Sequence, residues 1–147
     1  TVRIDEESLH KILPKTLSVA AVNSHKLCVV SGEDNEIEKF AEVLKEENLP
    51  YRLIATSHAF HSAMMNPILE EFGAIVENID LKIPQIPIVS TVTGTWLTNE
   101  EAVDPVYWTN HLRDTVKFSD AMDTIVKLED VVLLEVGPGN TLTTLKK

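Results

Sequence analysis

The stretch Ser57-His58-Ala59-Phe60-His61-Ser62 places two imidazoles and two hydroxyls within six residues. Imidazole titrates near neutrality, so it is the side chain best suited to take up and return a proton at working pH. A serine hydroxyl is a poor nucleophile until a base removes its proton. The residue types here therefore point to proton transfer serving a nucleophile. A metal site is the competing chemistry, because His58 and His61 stand at i and i+3, a spacing that can suit zinc on a helix. No cysteine or carboxylate lies nearby at ligand spacing, and His-x-x-His without a glutamate is not a zincin pattern. No metal is expected.

The nucleophile is harder to find. Ser57 and Ser62 adjoin the histidines in sequence, which does not place a hydroxyl on an imidazole. In α/β-hydrolase-like sites the serine sits on a Gly-x-Ser-x-Gly elbow between strand and helix, and the 147 residues contain no such elbow. The sequence offers a base without its nucleophile.

The elements that must carry this cluster follow from the apolar spacing. Asp5 can cap a helix whose face is Leu9, Ile12 and Leu13, and Pro14 stops it. Leu17 to Val22 and Leu27 to Ser31 read as strands joined by Asn23-Ser24-His25-Lys26, a hairpin. Ile37, Phe40, Ala41 and Leu44 line one face of a helix over 33–47, and Tyr51 to Ala55 reads as a further strand. This is a ferredoxin-like βαββαβ unit lacking its first strand, with Thr1 to Ile4 as that strand's tail. Beyond the cluster, Asn66-Pro67 opens a helix carrying Ile68, Leu69, Phe72, Ile75, Val76 and Ile79. Ile88 to Thr93 reads as extended, Asp104-Pro105 opens another helix, and Phe118, Ala121, Met122, Ile125 and Val126 mark one more. Val131 to Val136 reads as a buried strand ending at Gly137-Pro138-Gly139. The expected fold class is α/β with an α+β small part. The boundary falls at the cluster: 1–57 as an incomplete small subdomain and 58–147 as part of a larger one.

Composition bounds the rest. The chain is 44% hydrophobic and 24% charged, ordinary globular material, and its net charge of −10 has the wrong sign for a phosphate-backbone binder. Its apolar runs are too short to cross a bilayer. The single cysteine, Cys28, excludes an internal disulfide and sits in an apolar run that reads as a buried strand. An intracellular, cytoplasmic setting is expected. Thr1 stands where a methionine would begin a complete protein, so the chain reads as a piece of a longer one. A small subdomain short of one strand leaves a sheet edge open to a second copy, and self-association is the corresponding expectation.

Several blocks, in order, resemble the acyltransferase domains of modular polyketide synthases and their fatty-acid-synthase relatives. They are Ala20-Ala21-Val22-Asn23, Cys28-Val29-Val30-Ser31-Gly32, Ser57 to Ser62, Ile88 to Gly94, Tyr107-Trp108 with His111-Leu112-Arg113, and Leu134-Glu135-Val136-Gly137-Pro138-Gly139. The resemblance implies an α/β-hydrolase-like subdomain, present here in its C-terminal part, and a ferredoxin-like small one. It implies loading of an acyl group from coenzyme A onto an acyl carrier protein through a serine ester. His61 matches the catalytic histidine, base toward the serine and then acid toward the departing thiol. His111 is the position whose backbone carbonyl would orient His61. His58 and Phe60 match the malonyl-selective version of the motif, Phe60 crowding an α-methyl group.

On the same resemblance the fragment binds no cofactor, coenzyme A thioester being substrate. Its partners would be malonyl-CoA, the carrier protein and flanking synthase domains such as a ketosynthase. The serine, a carboxylate-binding arginine and an oxyanion donor would lie outside the chain, which alone would be inactive. Two other readings stand beside this one: a degenerate remnant acting as a docking surface, and a free-standing fatty-acid-type malonyl transferase.

Overall fold

A computed structural model describes residues 1–145. The first helix, α1 (Glu6–Ile12), is capped as its sequence expects. Asp5 accepts a hydrogen bond from the Ser8 amide at 2.8 Å, and Glu6 and Glu7 fill the amide-rich first turn. Strands β1 (Ser18–Ser24) and β2 (Leu27–Ser31) form the antiparallel hairpin, pairing Ser18 with Ser31 and Val22 with Cys28. Helix α2 (Asp34–Glu46) buries Phe40, Ala41 and Leu44, the i, i+1, i+4 stripe of an amphipathic helix. These elements close on Val2, Leu9, Leu17, Val19, Val22, Cys28, Phe40 and Leu44, the buried apolar cluster of the fold.

Both outer edges of the hairpin are occupied. On the β2 side, Val2 pairs antiparallel with Cys28 and with Tyr51. The place of the expected missing strand is thus filled at one residue, and the strand read over 51–55 shrinks to Tyr51. Leu53 and Ile54 beyond it are exposed. On the β1 side, Val116 lies parallel to Ala21. The Val22 amide donates to the Val116 carbonyl at 2.8 Å and the Val116 amide to that of Ala20 at 2.9 Å. The Thr115 hydroxyl donates to the Val19 carbonyl at 2.7 Å. The hairpin's outer edge therefore sets where residues 114–116 run.

The remainder is mostly helical. A 3-10 turn over Ala63–Ile68 leads into α3 (Leu69–Glu77), which packs on α5 (Pro105–Asn110). The short α4 (Asn99–Ala102) was not anticipated, although its capping box, Thr98 with Glu101, is legible in sequence. Asp104 caps α5 with Pro105 at its first position, as expected. Helix α6 (Phe118–Ile125) lies against β1, and α7 (Thr141–Leu145) follows the Gly137-Pro138-Gly139 turn.

Three expectations need correction. Ser62, not Asn66, caps the turn after the histidine cluster, because Pro67 sits inside that turn rather than at its start. Ile88 to Thr93, expected to be extended throughout, pairs at Val89 and turns over 91–93. Val89 bridges Trp96, and the Ser90 hydroxyl accepts the amides of Val92 and Thr93, folding the chain back on itself. Val131 to Val136 is neither strand nor buried: Val132 is 91% and Val136 89% exposed. A strand is made by its neighbours, and among the described residues no backbone lies beside this one to complete a ladder. For the same reason the helix face expected to be core in α3 is half bare, with Val76 buried but Ile75 58% exposed.

Candidate functional site

His61 sits at a bend where the chain changes direction into the 3-10 turn, and its φ of 55° is left-handed. That conformation costs a non-glycine residue on the order of 1–2 kcal/mol and persists only where neighbours hold it. The Ser62 hydroxyl donates to the Ala59 carbonyl at 2.5 Å and accepts the Met64 amide at 3.2 Å, pinning the residue just after the bend. The His61 amide donates to the Leu112 carbonyl at 3.3 Å.

The imidazole is oriented by a second carbonyl. Nδ1 of His61 lies 2.9 Å from the Asp114 carbonyl oxygen. A carbonyl can only accept, so Nδ1 carries the proton and Nε2 keeps its lone pair. In that tautomer the ring has one nitrogen able to take up a proton. A buried carboxylate does this work in Ser-His-Asp sites; here it falls to the main chain.

That carbonyl lies three residues beyond His111, the position expected to orient the ring. His111 caps α5 in helical conformation (φ −55°, ψ −31°), so its carbonyl keeps the helix direction. Only after the chain leaves the helix, at Leu112 and Asp114, do carbonyls turn toward His61. Nothing in a sequence marks which main-chain oxygen will do so. The His111 imidazole stacks on Trp108 at 5.9 Å and 13° and meets Tyr107 edge-on. Burial, and then the charge of a protonated His61, hold it below the ordinary imidazole value.

The other cluster residues divide. Ser62 is 1% exposed and both roles of its hydroxyl are engaged, so it is structural. Ser57 and His58 are exposed and bonded to each other, Oγ to Nδ1 at 2.9 Å. The Phe60 ring lies 5.7 Å from that of His58. His58, Phe60, His61 and Met64 line a cleft of about 650 Å³ together with Ala20, Val30, Ile37 and Phe40. A base beside an apolar cleft suits an acyl chain or thioester arm. Cys28, entirely buried, is pushed up to about 11 by burial and stays a thiol. Among the described residues no three His, Cys, Asp or Glu side chains group to hold a metal ion.

Comparison with known proteins places these observations. The family described as "Acyl transferase domain" matches residues 1–147. A phenolphthiocerol/phthiocerol polyketide synthase polypeptide of Mycobacterium tuberculosis is 32% identical over 142 residues, 97% of this chain and 10% of that synthase. The spectinabilin polyketide synthase system protein NorB of Streptomyces orinoci is 36% identical over 129 residues, 88% of this chain and 6% of that protein. Among solved structures, the acyltransferase domain of SpnD, in complex with 2-(pent-4-yn-1-yl)malonyl, superposes with a TM-score of 0.94 at 36% identity. The match covers 98% of this chain and 35% of that one. The malonyl CoA-acyl carrier protein transacylase from Burkholderia pseudomallei shares the fold at a TM-score of 0.87 and 24% identity, over 98% of this chain and 52% of that one. The chain thus spans about a third of the solved polyketide synthase domain it resembles and a tenth or less of the synthases.

Proposed function

The chain belongs to the acyl transferase domain family, and from that premise we propose that it is the base-bearing part of a transferase moving a malonyl group from coenzyme A to an acyl carrier protein. The observation that carries the reading is the His61 imidazole, its Nδ1 proton donated to the Asp114 carbonyl beside an apolar cleft. In this reading a serine from outside the chain gives its proton to Nε2 of His61 as its oxygen bonds to the thioester carbon. The carbon–sulfur bond breaks, and coenzyme A leaves as the thiol with the proton from His61. The carrier's thiol then repeats the sequence in reverse, giving its proton to His61 and restoring the serine.

The same reading assigns residues 1–57 to a ferredoxin-like small subdomain and 58–147 to an α/β-hydrolase-like large one. The succession Val2, α1, β1, β2, α2, Tyr51, with Val2 between β2 and Tyr51, supports the first assignment. The flanking domains would be those of a polyketide synthase, a ketosynthase among them, in the cytoplasm. No helix of the described residues is long and apolar enough to cross a membrane. Alone, the chain would lack a nucleophile, and self-association through a sheet edge would be limited to what Val2 and Val116 leave unpaired along the hairpin.

The test is covalent loading. A polypeptide carrying this chain together with its serine-bearing portion is expected to gain one malonyl group from malonyl-CoA by intact mass. The chain alone is expected to gain none. Absence of label on the longer protein, or label on the chain alone, would overturn the proposal.

Substrate choice rests on Phe60, 46% exposed at the cleft. A methyl group in such a site is worth about 1–3 kcal/mol. Phe60→Ala is therefore expected to shift the methylmalonyl-to-malonyl ratio of kcat/KM upward by roughly 10- to 100-fold. A ratio that does not move in a direct competition assay would remove Phe60 from selectivity.

A further inference from the structure

The strained bend at His61 needs holding, and beside the Ser62 bonds two that hold it come from one short turn. Leu112 gives its carbonyl to the His61 amide, and Asp114 gives its own to Nδ1. Between these two residues stands Arg113, whose Nε donates to Oδ1 of Asn66 at 3.1 Å. Asn66 lies in the 3-10 turn that begins immediately after His61 and its cap. The bend and the turn are therefore tied at three points, two through His61 and one through side chains alone. Among the described residues no other hydrogen bond joins 62–68 to 111–114.

Each segment has a further anchor on β1, which sets their coarse placement. Residues 115–116 hang on the edge of β1, and the Ala63 amide donates to the Ser18 hydroxyl at 3.2 Å. Both hold their segment to the hairpin. Arg113 and Asn66 add the direct side-chain tie between the two segments, across the gap between the base and its orienting carbonyl. A planar guanidinium directing Nε at an amide oxygen fixes direction as well as distance, which an ammonium on a flexible stem does not.

We propose that Arg113 and Asn66 form a positioning pair that keeps His61 on the Asp114 carbonyl, and so keeps its Nε2 lone pair aimed at the reacting serine. Neither residue touches substrate in this account; both act through His61. The inference rests on the function proposed above and adds to it two residues that determine turnover. Misplacement of a catalytic group by about an ångström costs up to about 100-fold in rate.

The test uses the complete acyltransferase, with three readouts. Arg113→Ala and Asn66→Leu are expected to lower kcat for malonyl transfer about 10- to 100-fold. KM for malonyl-CoA is expected to stay within about twofold, since ground-state binding is untouched. In protein carrying nitrogen-15 histidine, the downfield Nδ1 proton of His61 should broaden or vanish in both variants. Asn66→Asp keeps the acceptor and should preserve both rate and resonance. If Arg113→Ala does not fold, Arg113→Lys, which keeps charge and stem without Nε, carries the same expectation. Folded variants that retain the resonance and the parent kcat would overturn the proposal, as would an Asn66→Asp that behaves like Asn66→Leu. His61→Ala, measured alongside, separates the two levels. If it leaves transfer intact, the functional reading itself fails. If it stops transfer while the pair's variants do not, only the positioning role fails.

Discussion

His61→Ala in the complete transferase is expected to lower malonyl transfer by roughly 10³- to 10⁴-fold, the upper part of the range for loss of a general base. That corresponds to about 4–5.5 kcal/mol of transition-state stabilisation. The expectation follows from geometry. Nδ1 is committed to the Asp114 carbonyl, so the ring has one nitrogen to work with and one tautomer to work in. Nothing adjacent can substitute: His58 is bonded to Ser57, and His111 is stacked against Trp108. His61→Asn is the informative companion. Its amide can still donate to a carbonyl, yet it offers no basic nitrogen, so a loss equal to that of alanine would locate the effect in proton transfer rather than packing. Single-turnover loading followed by intact mass measures both. A loss under about tenfold would mean that His61 is not the base.

Phe40→Ala is expected to destabilise the fold by about 3–5 kcal/mol. Phe40 is 2% exposed, at the centre of the cluster that joins α2 to Leu9, Val19 and Cys28. Removing its ring loses the transfer energy of the buried atoms and leaves a cavity that a hairpin and two helices cannot easily collapse into. Since domains are stable by about 5–15 kcal/mol, this one change consumes much of the margin. The site would follow, because β1 carries residues 115–116 on its edge and they in turn place Asp114. Urea unfolding of the parent and the variant checks the value. Val43→Ala, on the open side of the same helix, should shift the midpoint little. A cost below about 1 kcal/mol for Phe40→Ala would mean that this cluster is not the core.

What could be read from sequence divides along a physical line. The hairpin, α1, α2, α5 and α6 were legible because each is specified locally, by a cap, a turn or an apolar stripe within one element. The histidine cluster was legible because its residue types are rare in combination. Other features were not, and three of them show why. Val131 to Val136 has a strand's composition, but strand formation depends on a partner that composition cannot supply. The turn after His61 starts at Ser62, whose hydroxyl accepts the Met64 amide, and not at the Asn66-Pro67 pair that reads as a cap in sequence. The orienting carbonyl depended on where the chain leaves α5, and it comes from Asp114, three residues beyond His111.

That the orienting acceptor is main chain has a genetic consequence. Every residue type carries the same carbonyl, so substitutions at 112 and 114 can drift while the acceptors they contribute persist. A side-chain scan across this turn would pass over the partner of the base without registering it. The lesion that removes it is a change in the path of the backbone, such as an insertion or deletion between α5 and the strand edge, and not the exchange of one side chain for another.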